Sequence, residues 1–498
     1  MFYLNYNLYS ILPEIFILIC TCVLILFSVI SSTSSKLGFP VISVNLFYLI
    51  LQILLFSLMI LIQQSPIYFI SWNNFFITNS FTYFSKIIML ILFLLWLSLS
   101  INFNIDNKIN KFEFWILILL SLLASFSIIQ TYDILAIYLS LEFQSLILYI
   151  LASFSRNSEF STESGLKYFI LGALSSALLL FGISMLYSLT GASNLTDLSK
   201  LFLGELVTNS ILYSEVFSCL TFIIVALLFK FTAAPFHFWA PDVYEGAPTS
   251  VTLFFATIPK LTTLCLLIKI ISVTSNQLIF NFYYLFLLSI FTSSIIGVSG
   301  AFYQTKWKRF ITYSSISHVS FFLVNFIYWD IFNFITLFFY LKVYLIMVFA
   351  FFAFFMNFRF LSYPKFNQVR YLKSINFINE VNPTISFSVS LVLFSMAGIP
   401  PLGGFFSKFF VFLIGIKKQI IGIVLILVIF GCVSCFYYLR IIKKIYFGGT
   451  STLFPVFKSI SKLNSLVLGL CIIFLIFWFR ELNFIFIFLN TIMFSFIY

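Results

Sequence analysis

Residues 226–260 open as Ala226-Leu-Leu-Phe-Lys230-Phe-Thr-Ala-Ala-Pro235-Phe-His237-Phe-Trp-Ala-Pro241-Asp242-Val-Tyr-Glu245-Gly-Ala-Pro248 and run on from Thr249 to Lys260. A lysine sits inside one apolar segment. Prolines then punctuate the helix, an acidic turn follows, and the next apolar segment carries a second lysine. A charge at mid-depth in lipid is costly. Two such lysines in adjacent segments are expected to face a protein interior or a wet path, as proton carriers. Pro235 and Pro241 remove helical donors just after Lys230. A broken helix at membrane depth is tolerated only where it is buried in protein or lines a wet cavity.

The rest of the chain agrees with a membrane setting. It has 498 residues, 62% hydrophobic and 8% charged, where soluble domains carry about a quarter charged residues. The expected fold class is an all-α polytopic membrane protein. A span needs about 20 apolar residues. About fourteen candidates follow, near 11–30, 39–62, 81–101, 113–130, 131–153, 165–190, 214–236, 248–272, 278–300, 310–328, 331–356, 384–414, 418–440 and 464–492. The thinnest divisions are at Thr131-Tyr-Asp133 and at Trp329-Asp330.

Loop charges test the count. With the N-terminus on side one, the side-two loops hold Lys36, Lys108, Lys111, Arg156, Lys167, Lys306, Lys308, Arg309, Arg359, Lys365, Arg370, Lys373, Arg440, Lys443, Lys444, Lys458 and Lys462. Side one holds Lys200, Lys417 and Lys418. That asymmetry is the one the positive-inside rule demands. Side two is therefore the matrix or cytoplasmic face, and topology explains the net charge of +12 better than nucleic acid does. Cys20, Cys22, Cys432 and Cys435 fall inside apolar spans and read as small fillers, not metal ligands. There is no Walker loop and no Gly-x-Gly-x-x-Gly after a strand, so neither a nucleotide nor a flavin is expected here.

Expected at membrane depth are Glu142, Lys230, Lys260, His318, Lys342 and Lys408, with Asp133, His237, Lys269 and the Arg480-Glu481 pair nearer ends or breaks. Lys230 falls about sixteen residues into its span and Lys260 about twelve. Both read as central rather than as snorkelling to an interface. Burial favours the neutral amine, and a lysine poised between its two forms can accept and release protons. Glu142 is either a carboxyl held neutral by burial and bonded to a neighbouring Ser or Gln, or a carboxylate paired with Lys230 on a facing helix. In the second case desolvation and the opposite charge compete, which makes a switch. His318, in Tyr313-Ser-Ser-Ile-Ser-His318, is among hydroxyls that can relay protons or is a bonded interior residue. Lys342 divides evenly between the path and a private salt bridge. Asp242 and Glu245 read as braces of their turn. A second break, Gly398-Ile-Pro400-Pro401-Leu-Gly403-Gly404, lies four residues before Lys408. Paired interrupted spans point to a transporter's ion path. If spans four to eight and nine to thirteen are repeats, Lys230 and Lys408 are equivalent, as are Glu142 and His318. An odd helix number per repeat requires inversion.

These segments resemble the antiporter-like chain 2 family of membrane subunits in respiratory complex I, the NADH:ubiquinone oxidoreductase. The resemblance is carried by Leu141-Glu142 to Tyr149, Gly165-Leu-Lys167 to Ala177, Lys230 to Thr249, Tyr313 to His318, and Met396-Ala-Gly-Ile-Pro400 to Lys408. It covers roughly residues 10–450. It implies an antiporter-like fold with two inverted five-helix repeats and broken seventh and twelfth spans. The implied units are 1–112 (three N-terminal spans), 113–272 and 273–441 (the repeats), and 442–498 (a loop and the last helix). It also implies proton-path roles for Glu142, Lys230, Lys260 and Lys408, with support for His318. NADH, FMN, iron–sulfur clusters and ubiquinone would be bound by other subunits. Partners would be neighbouring membrane-arm chains, other antiporter-like subunits among them, and lipids, in the mitochondrial inner membrane. The rival expectations are a stand-alone cation/proton antiporter subunit and a scaffold whose buried charges only lock helices together.

Overall fold

An apolar run in lipid can satisfy its backbone only as a helix or within a closed barrel, and this chain forms helices nearly throughout. The computed structural model describes residues 7–32, 43–203, 210–274, 276–328, 330–362, 365–376, 378–447, 461–477, 486–487 and 489–490. The Arg480-Glu481 pair lies outside them. In order come α1 (Leu12–Ser32), α2 (Ser43–Gln63), β1 (Phe69–Ser71), β2 (Phe76–Thr78), α3 (Ser80–Asp106), α4 (Phe112–Gln130), α5 (Ile134–Ala152), α6 (Glu159–Thr190), the short α7 (Leu195–Leu203), α8 (Ser210–Lys230), α9 (Trp239–Gly246), α10 (Thr249–Val273), α11 (Asn276–Tyr303), α12 (Trp307–Val324), α13 (Ile331–Asn357), β3 (Arg359–Ser362), β4 (Lys365–Gln368), α14 (Ile378–Val381), α15 (Pro383–Ala397), α16 (Gly403–Lys417), α17 (Ile421–Phe447) and α18 (Lys462–Phe477). Among the described residues, ten helices are long and apolar enough to cross a membrane. The protein is a multi-pass membrane protein.

Two expectations need correction. The chain is not purely α: β1 pairs with β2 and β3 with β4 in small antiparallel hairpins, Phe69 facing Thr78 and Arg359 facing Gln368. Both lie in connections, where backbone groups freed from helices find partners in each other. Lys230 is also not central in a helix. It is the last residue of α8.

The connections fall into two sets. Ser10 donates a hydrogen bond to Ser71, Phe76 bridges Thr131, and Asp133 bridges Asn194. Lys306 bridges Tyr371, and Arg359 pairs with Asp106 at 3.4 Å. Each set holds loops that the charge pattern assigns to one side. Helices α10 and α13 run through the middle, buried almost along their whole length, whereas α1, α6 and α17 turn much of their surface outward. The lysines of interest are thus carried on, or face, central helices.

A buried ion pair that sequence reading passes over ties the N-terminal helices to this core. Glu14 of α1 meets Lys86 of α3 at 2.5 Å, and Lys86 also donates to the Gln130 side chain at 2.8 Å. Both charged residues are buried. Lys269 of α10 donates to the carbonyls of Ile129 and Thr131. Two cations therefore sit at the C-terminus of α4, where the helix dipole favours them, and Glu14 balances one. Removing one member of a buried pair strands the other, at about 3–5 kcal/mol. Glu14→Gln will therefore lower the thermal unfolding temperature of the purified protein, whereas Glu14→Leu with Lys86→Leu will restore most of the loss. An unshifted transition in the single variant would show that the pair carries no such weight.

Candidate functional site

The break after α8 is built by its own sequence. Thr232 takes a left-handed backbone, φ 66°, and Ala233 donates back to the Leu228 carbonyl at 3.0 Å. This closes the helix in the way a C-terminal glycine usually does, with strain, because Thr is β-branched. The Trp239 indole donates to the Phe229 carbonyl at 3.1 Å and stacks on Tyr168 with centroids 4.6 Å apart. Lys230 is thereby fixed at a helix C-terminus, the end of the dipole that stabilises a cation. Its ammonium lies 3.4 Å from Glu142 Oε1 on α5. Ser145, one turn on, donates to Glu142 Oε2 at 3.4 Å. Glu142 thus has both of the partners the sequence offered it, Lys230 on a facing helix and a nearby Ser hydroxyl. The Glu142 side chain is 23% exposed and that of Lys230 12%, so the pair stands at the rim of the bundle.

A cavity of about 20 Å³ adjoins Lys230 and reaches Pro259 and Thr263 on α10. That is room for one water. Next along α10 is Lys260, its twelfth residue and 2% exposed. Its ammonium donates to the Tyr344 hydroxyl at 2.8 Å and lies 4.9 Å from that ring's centre. Tyr344 sits on α13, and Tyr340 one turn earlier shares a hydrogen bond of 2.7 Å with His318 Nδ1. The His318 and Tyr344 rings are 5.5 Å apart. His318 and Lys408 then line one cavity of about 10 Å³ together with Ser294, Ser317, Ser320 and Ser434. The five expected residues therefore form one row, from Glu142 and Lys230 at the rim to the buried Lys260, His318 and Lys408. Tyr340 and Tyr344 join its two halves, and sequence reading missed both. They flank Lys342 two residues away on either side, and with Tyr 26 and Phe 72 in the chain no single ring stands out.

The second break is the mirror of the first in its electrostatics. Helix α15 ends at Ala397 and α16 begins at Gly403. Lys408 reaches back to donate to the Met396 and Ala397 carbonyls at 3.0 and 2.9 Å. Here too an ammonium sits at a helix C-terminus. Gly398 has φ 86°, and a Cβ there would lie 3.0 Å from Lys408 Cδ and 3.3 Å from Nζ. Gly398→Ala will therefore be strained and will push the ammonium off its carbonyls. Proton pumping should fall several-fold with the protein still present in the membrane. Unchanged pumping would mean that the position of Lys408 does not matter.

The other charged candidates have private partners. Asp133 caps α5, accepting from the Leu135 amide at 2.9 Å and from Ser193 at 2.7 Å. Asp242 pairs with Lys167 at 3.1 Å and Arg309 at 2.9 Å, and Glu245 pairs with Lys306 and Arg309. They brace their turn against α6 and α12. His237 lies in the first break, Nδ1 3.3 Å from the Pro235 carbonyl. Lys342 is half-buried on α13. Among the described residues no group of three or more His, Cys, Asp or Glu has metal-site geometry.

A multi-pass helical protein with two broken spans and a buried row of lysines has the fold of the antiporter-like membrane subunits. A chain of respiratory complex I from Thermus thermophilus superposes with TM-score 0.77 over 95% of this chain and 98% of its own, at 23% identity, a likeness of fold. The chain is 37% identical to NADH-ubiquinone oxidoreductase chain 2 of Marchantia polymorpha, covering 95% of this chain and 96% of the relative. It is 34% identical to NADH-quinone oxidoreductase subunit N of Paramagnetospirillum magneticum, covering 89% and 88%. Residues 131–434 match the model of the NADH:quinone oxidoreductase/Mrp antiporter membrane family. The chain belongs to that family.

Proposed function

We infer that this chain is a proton-translocating core subunit in the membrane arm of NADH:ubiquinone oxidoreductase, coupling electron transfer from NADH to ubiquinone with proton pumping. The observation that carries the inference is the row Glu142–Lys230, Lys260–Tyr344, Tyr340–His318 and Lys408, which runs from the rim of the bundle into its buried centre. The relatives named as complex I chains support the setting. In this reading the chain has fourteen spans, three before residue 112, two inverted five-helix repeats over 113–272 and 273–441, and a last helix beyond 442. NADH, FMN, the iron–sulfur clusters and ubiquinone belong to other subunits. The chain's partners are neighbouring membrane-arm subunits and lipids, and its place is the mitochondrial inner membrane. Breaking the Glu142–Lys230 pair changes the proton affinity of Lys260, and the change passes by way of Tyr344 to His318 and Lys408. Such coupled groups titrate as a set.

The family name also admits cation/proton antiporters. The two readings part in one experiment. The parent complex in sealed vesicles should move protons only while NADH is oxidised, with no dependence on sodium. Sodium-dependent exchange by vesicles that hold this chain without redox subunits would reverse the assignment.

A further inference from the structure

Away from the row of lysines, on the side-two face, is a cavity of about 670 Å³. Its walls come from both sides of the chain's midpoint. Ser155 and Ser158 stand just before α6 and Phe160 in its first turn, Glu245 to Pro248 between the end of α9 and α10, Lys306 to Lys308 at the start of α12, and Gln368 to Tyr371 from the end of β4 onward. Its volume is that of a small-molecule site.

Its charge is unbalanced in one direction. Glu245 is the carboxylate lining it, and that group is already engaged by Lys306 and Arg309. Among the described residues the ion pairs at this face include neither Lys308 nor Arg370. Lys308 donates to the Ala247 carbonyl at 2.6 Å, and Arg370 lies over the Phe160 ring at 5.8 Å. An ammonium has three donors and a guanidinium five, so both keep donors to offer. Three helices also begin on this cavity, α6, α10 and α12, and none has a side-chain cap at its first turn. Their dipoles add positive potential to the two side chains.

We propose that this cavity binds the phosphodiester of an anionic phospholipid. Basic pockets between membrane helices on the matrix or cytoplasmic side suit such headgroups. Phe160, 58% exposed, stands at the rim. Beyond it the outward face of α6 carries exposed Ile170, Leu174 and Phe181, along which acyl chains can lie. Lys308 and Arg370 hold the phosphate, beside a wall in which the Ser155 and Ser158 hydroxyls are bonded to each other at 3.0 Å. The inference rests on the chain's place in a membrane and not on its proton path.

The test is photolabelling of the purified parent complex with two diazirine phospholipids of equal chain length, one phosphatidylglycerol and one phosphatidylcholine. Labelled peptides are then mapped by mass spectrometry. Peptides spanning Phe160 and Tyr371 should take the anionic probe at least fivefold better than the zwitterionic one. Lys308→Gln with Arg370→Gln should remove that preference. Inorganic phosphate at millimolar concentration should leave it unchanged. Equal labelling by the two probes in the native complex overturns the proposal without recourse to any variant. Loss of labelling with free phosphate would make the occupant a soluble anion, and a crosslink from these peptides to an acidic segment of a neighbouring subunit would make it a protein. Either outcome also overturns the lipid assignment.

Discussion

Lys230→Ala will cut coupled proton pumping by roughly a hundredfold or more, the order expected on removing a proton-transfer group, while the complex still assembles and oxidises NADH. The ratio of protons moved to electrons transferred in sealed vesicles reads the effect directly. The geometry gives the reason. Lys230 ends α8 and faces Glu142 at 3.4 Å. The ammonium draws stability from that carboxylate and from the helix C-terminus behind it. Any event that protonates Glu142, or draws it away, leaves the ammonium with the dipole alone and makes release of its proton easier. Alanine removes the proton and its acceptor together.

Assembly should survive because Glu142 keeps the Ser145 hydroxyl as a partner at 3.4 Å, and a carboxyl left without its counter-ion in a membrane is neutralised by taking up a proton, which limits the stranding penalty of a broken pair. The scaffold alternative makes an opposite forecast for a second variant. If the pair only locks α5 to α8, Glu142→Leu with Lys230→Leu will keep both helices together and leave pumping intact. If protons travel through it, the double variant will pump as poorly as the single one. Normal pumping in either variant rules the pair out of the path.

Much of this arrangement was legible because lipid leaves the backbone few choices. Apolar runs of the right length located the long helices, and the divisions at Thr131 and near Asp330 correspond to real ends, α4 closing at Gln130 and α13 opening at Ile331. Proline and glycine marked both breaks. The position of Lys230 was misjudged because the helix end is set at a distance. Thr232 adopts a backbone that its type disfavours, and Trp239, nine residues after Lys230, supplies the indole that holds the end. Neither is a local signal. Glu14 and Lys86 were missed for a related reason. Each lies within the first two turns of its helix, where a charge ordinarily reaches water, and the packing of α1 against α2 and α4 is what closes them in. The two hairpins have strands of three or four residues, too short for alternation to show.

Lys260→Met separates function from architecture most sharply. The residue is 2% exposed, and its ammonium has a phenol as its hydrogen-bond partner, with no carboxylate among the described ion pairs at that position. A buried charge without a counter-ion is a burden on folding. Methionine has a similar reach, adapts to irregular space and brings no charge. Thermal stability should therefore stay level or rise. Pumping should fall by roughly a hundredfold or more, because the row then keeps only the Tyr344 hydroxyl between Lys230 and the Tyr340–His318 pair. Tyr344→Phe keeps the ring and removes the hydroxyl, so Lys260 stays in place as an ionisable group but loses its bonded neighbour. A smaller loss, about tenfold, is expected there, with Lys260→Met in the same background no worse than Lys260→Met alone. Unfolding temperature and the proton-to-electron ratio should be taken on one preparation. A methionine variant that is less stable yet pumps at the native ratio would mean that this lysine holds helices together and carries nothing. A variant more stable and unable to pump would mean that the chain keeps an expensive charge in its core because protons use it.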